Sequence, residues 1–275
     1  MKHLTISLLF IASMIATSCS GQDNGEKETE VLIETSMGDI RVKLYNDTPG
    51  HRDNFIQNIK DKKYDGTYFH RVVRNFMIQG GNPDHRPGEV VDTTKEVERI
   101  PAEMKFPTHF SRKGVLAAAR DEDDINPEKM SDKYQFYIVT GKSVSDADLD
   151  NYEKAREEKV AEELYNKKIA EPANAAKIQA YREAREQYKL GYFLQDLMTE
   201  ARREVSDNPP LTYPKNVRRA YRIHGGAPWL DDDYTIFGEV IEGMKVVDNI
   251  QKVRTSAKEV PLQEIRIKKV SLIDN

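Results

Sequence analysis

Residues 68–81 read YFHRVVRNFMIQGG, and the meaning of this stretch decides what the rest of the chain is. Apolar and aromatic side chains crowd around Arg71 and Arg74, and the run closes on Gly80-Gly81. A guanidinium set among packing side chains is costly unless something satisfies it. Two readings compete. Either Arg71 lies along an apolar strand with its head in water, as long cationic side chains often do, or an apolar pocket holds one cation for a purpose. His70 adjoins Arg71, and extended backbone points it to the other side. No Lys-Ser/Thr follows Gly80-Gly81, so a tight backbone turn fits better than a phosphate loop.

Outward from this stretch the pattern is strand-rich. VLIETSMGDIRVKLY, from Val31, alternates on either side of a Ser-Met-Gly-Asp turn, with Ile40, Val42 and Leu44 on one face, which is a hairpin pattern. Thr48-Pro49 opens a helix with Thr48 as N-cap and Pro49 in the first turn, and Phe55, Ile56 and Ile59 form its apolar face. Val115 to Ala119 and Gln135 to Thr140 are two further short strands. The pattern resumes near Tyr234, with a short helix around Met244, Val247 and Ile250 and a closing strand around Ile265, Ile267 and Val270.

Between these blocks the character changes. From Ser145 to about Ser206 Ala, Glu, Lys and Arg dominate. Pro172 divides this region into two long helices, and at ~1.5 Å per residue each spans about 40 Å. Asn208-Pro209-Pro210 ends them. Neither strand-rich half alone can bury a two-faced core, so a helical block inserted into one β domain explains the order better than three separate domains. The predicted boundaries are 30–142 and 220–275 for the β domain and 143–219 for the insertion.

The chain has 275 residues, 38% hydrophobic and 32% charged, with a formal net charge of -4, which argues against an electrostatic nucleic-acid binder. One cysteine excludes an internal disulfide framework, and no spacing suggests zinc ligands. MKHLTISLLFIASMIATSCS has a cationic start, an apolar run from Leu4 to about Ile15, and small residues before Cys19. The run is short for a membrane span and reads as a signal-peptide core. The segment resembles a bacterial lipoprotein signal, which implies removal of residues 1–18, lipidation of Cys19, and a membrane-anchored protein of the bacterial cell envelope. A plain secretory signal containing a cysteine is the alternative. Residues 19–29 are small and polar, a flexible tether.

FHRVVRNFMIQGG resembles the signature of the cyclophilin family of peptidyl-prolyl isomerases. GVLAAAR, YQFYIVT and PWLDDDYTIFGEVIEGMKVVDNI resemble three further motifs of that family in the same order, so the likeness runs from about Val31 to Asn275 outside the helical block. It implies a mainly β fold: a closed eight-stranded antiparallel barrel with two capping helices, here carrying an inserted α-helical hairpin. It also implies that Arg71 is the catalytic arginine. Phe76 and Met77 then line a proline pocket, and Gln79 contacts the substrate backbone. Ala119, Gln135, Phe136 and Tyr137 fall on the second side of the groove, with Trp229 and Leu230 at its wall and Tyr234 where many members carry His. Arg120 stands where the family has Asn, and Tyr137 where it has Phe.

Such chemistry needs no metal and no cofactor. The barrier to amide rotation is ~18–20 kcal/mol, and the two X-Pro isomers differ by only ~0.5–1 kcal/mol. A donor that stabilises the twisted amide more than the planar one suffices. The partners implied are proline-containing unfolded or partly folded polypeptides, a membrane through the lipid anchor, and no nucleic acid. The acidic stretch DEDDINPEKMSDKY either favours basic substrates or is an ordinary solvated loop. The helical block is either an arm for clients or a protein partner, with Tyr188, Tyr192 and Phe193 as its contact cluster, or a self-packed hairpin resting on the barrel. A proline-binding chaperone or scaffold with little isomerase activity is the second functional reading; it differs from the first in not needing Arg71.

Overall fold

The structure, a computed structural model, describes residues 27–86, 88 and 96–273. The signal-like run, Cys19 and the tether as far as residue 26 lie outside the described residues. Strands β1 (Glu30–Thr35) and β2 (Gly38–Leu44) form the expected hairpin, followed by helix α1 (Pro49–Lys60). Next come β3 (Arg71–Val73), β4 (Met77–Gly80), the two-residue β5 (Arg99–Ile100), β6 (Val115–Ala118), β7 (Ser131–Asp132) and β8 (Phe136–Val139). After the helical block the chain returns as β9 (Ile236–Glu242), a short helix Met244–Ile250 and β10 (Ile267–Ile273).

Eight strands form one curled antiparallel sheet in the order β10-β1-β2-β9-β6-β8-β4-β3, with β5 and β7 paired separately. The expected closed barrel is corrected: β3 and β10 remain the edges of an open ladder. The cause is local. β3 is three residues long, and its Val72 N–H donates to the Glu259 carbonyl at 2.8 Å rather than to a strand. The seam is held one step earlier in the chain. There Tyr68 bridges Arg266, Phe69 N–H donates to Ile265 O at 2.9 Å, and Gly66 N–H donates to Ile267 O at 2.8 Å.

The curl encloses the core. Val31, Ile33, Ile40, Val42 and Leu44 are fully buried by period-two alternation. Phe55 and Ile59 of α1 and Val247 and Ile250 of the later short helix close over the same cluster. Phe136 lies at its centre, edge-on to Phe55 at 5.5 Å and Tyr64 at 5.6 Å. Each such side chain removed from water contributes roughly 1.5–3 kcal/mol. Thr48 occupies the N-cap of α1, but its hydroxyl does not cap the helix. The distant Glu103 carboxylate does so instead, accepting from Gly50 N–H at 3.0 Å and His51 N–H at 2.9 Å.

The insertion has three long helices where two were expected: α2 (Asp146–Ala170), α3 (Pro172–Glu183) and α4 (Gln187–Asp207). Pro172 opens α3 as predicted. The second break falls where Arg185 takes a left-handed φ of 56°, between residues with no Gly or Pro to mark it. α2 starts with a reciprocal capping box between Ser145 and Asp148. α5 (Lys215–His224) follows and runs across position 219. It packs Val217 and Tyr221 with Val144, Leu149, Leu211 and Tyr213 into a cluster joining the insertion's base to Phe106 and Phe110 of the β domain. α6 denotes Met244–Ile250.

The insertion leaves and re-enters through a narrow neck. Gly226 N–H donates to Lys142 O at 2.9 Å, and a Cβ on Gly141 would stand 1.9 Å from the Gly226 carbonyl oxygen. Only glycine lets the two backbones approach this closely.

Candidate active site

The outer face of the same sheet carries a second apolar cluster. Tyr45, Met77, Val115, Ala117, Tyr137, Val139, Ala227, Leu230 and Ile236 are its buried members. Register places a row of side chains on that face: Arg71 pairs with Gln79, Gln79 with Tyr137, and Tyr137 with Ala117. The β3–β4 turn uses Asn75 at φ 60°, anchored by its N–H to the Gln251 side chain at 2.9 Å, and so presents Phe76 beside the row.

Above this floor lies a cavity of about 250 Å³, lined by Arg71, Phe76, Met77, Gln79, Ala119, Arg120, Tyr137, Leu230 and Tyr234. Nine of the predicted site residues therefore meet in one place. Gln135 stands outside this lining and accepts from the Gln79 amide at 3.0 Å. Trp229 forms the rim, 42% exposed, with its ring 5.4 Å from Phe76. Phe136 does not reach the cavity. It is 1% exposed in the inner core, because neighbouring residues of a strand face opposite ways and Tyr137 takes the outer face.

The Arg71 side chain is 41% exposed, neither sunk in the core nor turned away. Its Nε donates to the Glu259 carboxylate at 2.7 Å, and one terminal nitrogen donates to Gln79 Oε1 at 3.4 Å. Gln79 in turn is held by Gln135, which donates to Asp132 at 2.8 Å. A chain of polar contacts thus fixes the guanidinium at the mouth of an apolar slot. Glu259 was not foreseen: it lies far along the sequence from Arg71, in a loop whose pattern is unremarked.

Arg120 is also resolved. Its guanidinium stacks 4.7 Å from the Tyr234 ring centroid, donates to the carbonyls of Asp233 (2.7 Å) and Asp121 (2.8 Å), and pairs with Asp123 at 2.7 Å. With 5% of its side chain exposed, it is a wall component. Three carboxylates of the acidic stretch are likewise engaged: Asp123 pairs with Arg120 and Lys159, Asp121 with Arg99, and Asp132 caps the Tyr134 and Gln135 amides, while Glu122, Asp124 and Glu128 are exposed. Burial pushes the Tyr137 hydroxyl well above its usual range, so it stays protonated. Burial likewise lowers His70 to about 4, with the nearby His85 adding to the effect, and keeps His70 neutral outside the cavity lining.

One arrangement mimics a hydrolase. His51 joins Ser131 Oγ at 2.9 Å and the Glu103 carboxylate at 2.7 Å, the distances of a nucleophile–base–acid triad. Ser131 and His51 are 1% and 2% exposed, and the adjoining cavity holds only about 10 Å³. A substrate carbonyl has no access, and the trio fastens α1 to β7.

A family model described as cyclophilin type peptidyl-prolyl cis-trans isomerase/CLD matches residues 30–158 and 220–272. A protein of Staphylococcus haemolyticus (strain JCSC1435), provisionally named a peptidyl-prolyl cis-trans isomerase, is 25% identical over 256 residues, 92% of this chain and 94% of its own. A protein of Staphylococcus aureus (strain USA300) with the same name is 25% identical over 250 residues, 89% of this chain and 92% of its own. These alignments extend into the 159–219 stretch that the family model leaves out. The crystal structure of a cyclophilin type peptidyl-prolyl cis-trans isomerase of Cryptosporidium parvum superposes with a TM-score of 0.53 at 18% identity, covering 90% of this chain and 99% of that one. A second structure of that protein, in the presence of the dipeptide Ala-Pro, gives 0.51 at 17%. At these identities the structures speak for the fold.

Proposed function

Because the chain belongs to the cyclophilin type peptidyl-prolyl cis-trans isomerase family, we propose that the 250 Å³ cavity is its proline pocket and that Arg71 assists the rotation. Phe76, Met77, Tyr137 and Leu230 grip the prolyl ring, while Gln79 and the Ala119–Arg120 backbone hold the chain on one side. The amide is resonance-stabilised, and twisting it through ~90° restores a lone pair on the prolyl nitrogen at a cost of ~18–20 kcal/mol. The planar ground state offers no such acceptor. A guanidinium N–H at the cavity mouth therefore gains strength as the twist develops. Apolar walls reduce competition from water and strengthen that bond. No bond breaks and no proton is transferred.

The observation that carries this reading is the tethering of Arg71 by Glu259 and Gln79 at the edge of the apolar slot. The groups held in place before substrate arrives need no reorganisation at the transition state. Proline-limited refolding of a model substrate tests it. Wild type accelerates the slow phase, and Arg71→Ala loses about 10²–10³ of that acceleration, the usual effect of removing one transition-state donor. Unchanged acceleration in the variant refutes the role of Arg71. Loss of catalysis with retained binding of a proline peptide separates catalysis from mere capture.

We further propose, from the N-terminal segment alone, that the enzyme sits on a membrane of the bacterial envelope, with Cys19 lipidated and 19–29 as a tether. Its support is the order of cationic start, apolar run, small residues and cysteine. No helix among the described residues is long and apolar enough to cross a membrane. Cys19→Ser moves the protein from the membrane to the soluble fraction; retention on membranes refutes lipidation.

A further inference from the structure

A second cavity, of about 220 Å³, opens on the far side of the Pro228–Asp233 segment, between that segment and helix α2. Its walls are Tyr152 and Ala155 of α2, Leu211, and Pro228 and Trp229 of the β domain, with Arg156 and Lys159 at the rim. The two cavities share a partition. Trp229 lines the second and packs on Phe76 of the first at 5.4 Å; Asp233 lines the second and its neighbour Tyr234 the first. An aromatic row, Phe76–Trp229–Tyr152, crosses the partition with successive ring separations of 5.4 and 5.9 Å. At ~3.3–3.6 Å per extended residue, that row matches about three residues of a peptide.

The cations at the rim are committed elsewhere. Arg156 pairs with Asp233 at 2.8 Å and donates to the Asp231 carbonyl, and Lys159 pairs with Asp123 at 2.9 Å. These contacts pin α2 against the partition and leave no free positive charge for an anion. What remains available is apolar and aromatic surface, including the exposed part of Trp229.

We propose that this cavity is a second substrate subsite, taking an aromatic side chain of the client about two to four residues from the proline held next door. The proposal rests on the proline-pocket reading above. It assigns the insertion a function: α2 supplies half of a pocket that the β domain alone lacks. Continuity through Trp229 names the occupant, since the residue that walls this cavity also packs on Phe76 of the proline cavity.

The test is a set of peptides with a single Ala-Pro bond, carrying Phe or Ala at each position from four before to four after the proline. For wild type, one register shows kcat/KM about tenfold higher for Phe than for Ala, expressed in KM; a gain of that order is usual for an apolar side chain in a matching pocket. Ala155→Phe, which fills the cavity from an exposed position of α2, brings that ratio to about one; Ala155→Leu, a smaller filling, lowers it part-way and guards against a folding defect in the first variant. Turnover with no register preferring Phe, or a preference that survives both variants, overturns the subsite and leaves the isomerase reading standing. No turnover of any peptide overturns that reading and the subsite with it.

Discussion

Asp231 is a carboxyl whose ionisation should be visible in the stability of the whole molecule. It is 1% exposed and sits where the insertion's base meets the wall of the 250 Å³ cavity, next to Leu230. One oxygen accepts from Ser111 N–H at 2.6 Å and the other from the Tyr221 hydroxyl of α5 at 2.5 Å. Burial pushes its pKa up from 3.8 to about 7, and the Tyr221 and Ser111 donors offset that only in part. A carboxyl raised in the folded state binds its proton more tightly there than in the unfolded chain. Its contribution is complete below the unfolded value and is lost as pH climbs through the folded one. At 1.36 kcal/mol per pKa unit, the loss between pH 5 and pH 8 is about 2–3 kcal/mol. Asp231→Asn keeps an acceptor for Ser111 and a polar partner for Tyr221 yet cannot ionise. Urea unfolding of both proteins at pH 5, 6, 7 and 8 isolates the effect, because every other titrating group is common to the pair. The stability difference should shift by about 2–3 kcal/mol towards the variant as pH rises from 5 to 8. Parallel stability profiles would show that Asp231 does not titrate in this window and would refute the account of this junction.

Glu259→Gln keeps the shape beside Arg71 but removes the ion pair. A half-exposed pair contributes up to ~1 kcal/mol, so kcat/KM should fall about fivefold; an equal further loss when Arg71 is already Ala would show that Glu259 does not act through it. Gly141→Ala forces a Cβ into the Gly226 carbonyl. Denaturant unfolding should show a loss of about 3 kcal/mol or more, and a loss under 1 kcal/mol would mean that the neck is looser than its geometry.

Much of the fold was legible because each β motif announces itself locally. The alternation in β1 and β2 marks the buried face, and Pro49 and Pro172 mark helix starts. What escaped had no local sign. β8 reads FYIV, buried on both faces, so periodicity cannot say whether Phe136 or Tyr137 faces the site. Arg185 breaks a helix through backbone geometry that its side chain does not advertise. The open seam depends on the Glu259 loop reaching the edge of β3, and the clamp on Arg71 on the same loop, which are tertiary facts. Most of the cavity's lining was legible for a different reason: register turns the order of Arg71, Gln79 and Tyr137 along three strands into one row across the sheet.

The glycine neck has an evolutionary corollary. Where a polypeptide departs from a scaffold and rejoins it at nearly the same point, the scaffold scarcely registers how much lies between. The entropy of closing such a detour grows only logarithmically, about 0.6 kcal/mol for each doubling of its length. Lineages are thus free to lengthen, trim or exchange the helical cassette while Gly141 and Gly226 keep the strands in place. The segments touched by both modules, namely the partition from Pro228 to Asp233, Phe106 and Phe110 at the insertion's base, and Asp123 beside Lys159, must be retuned at each exchange.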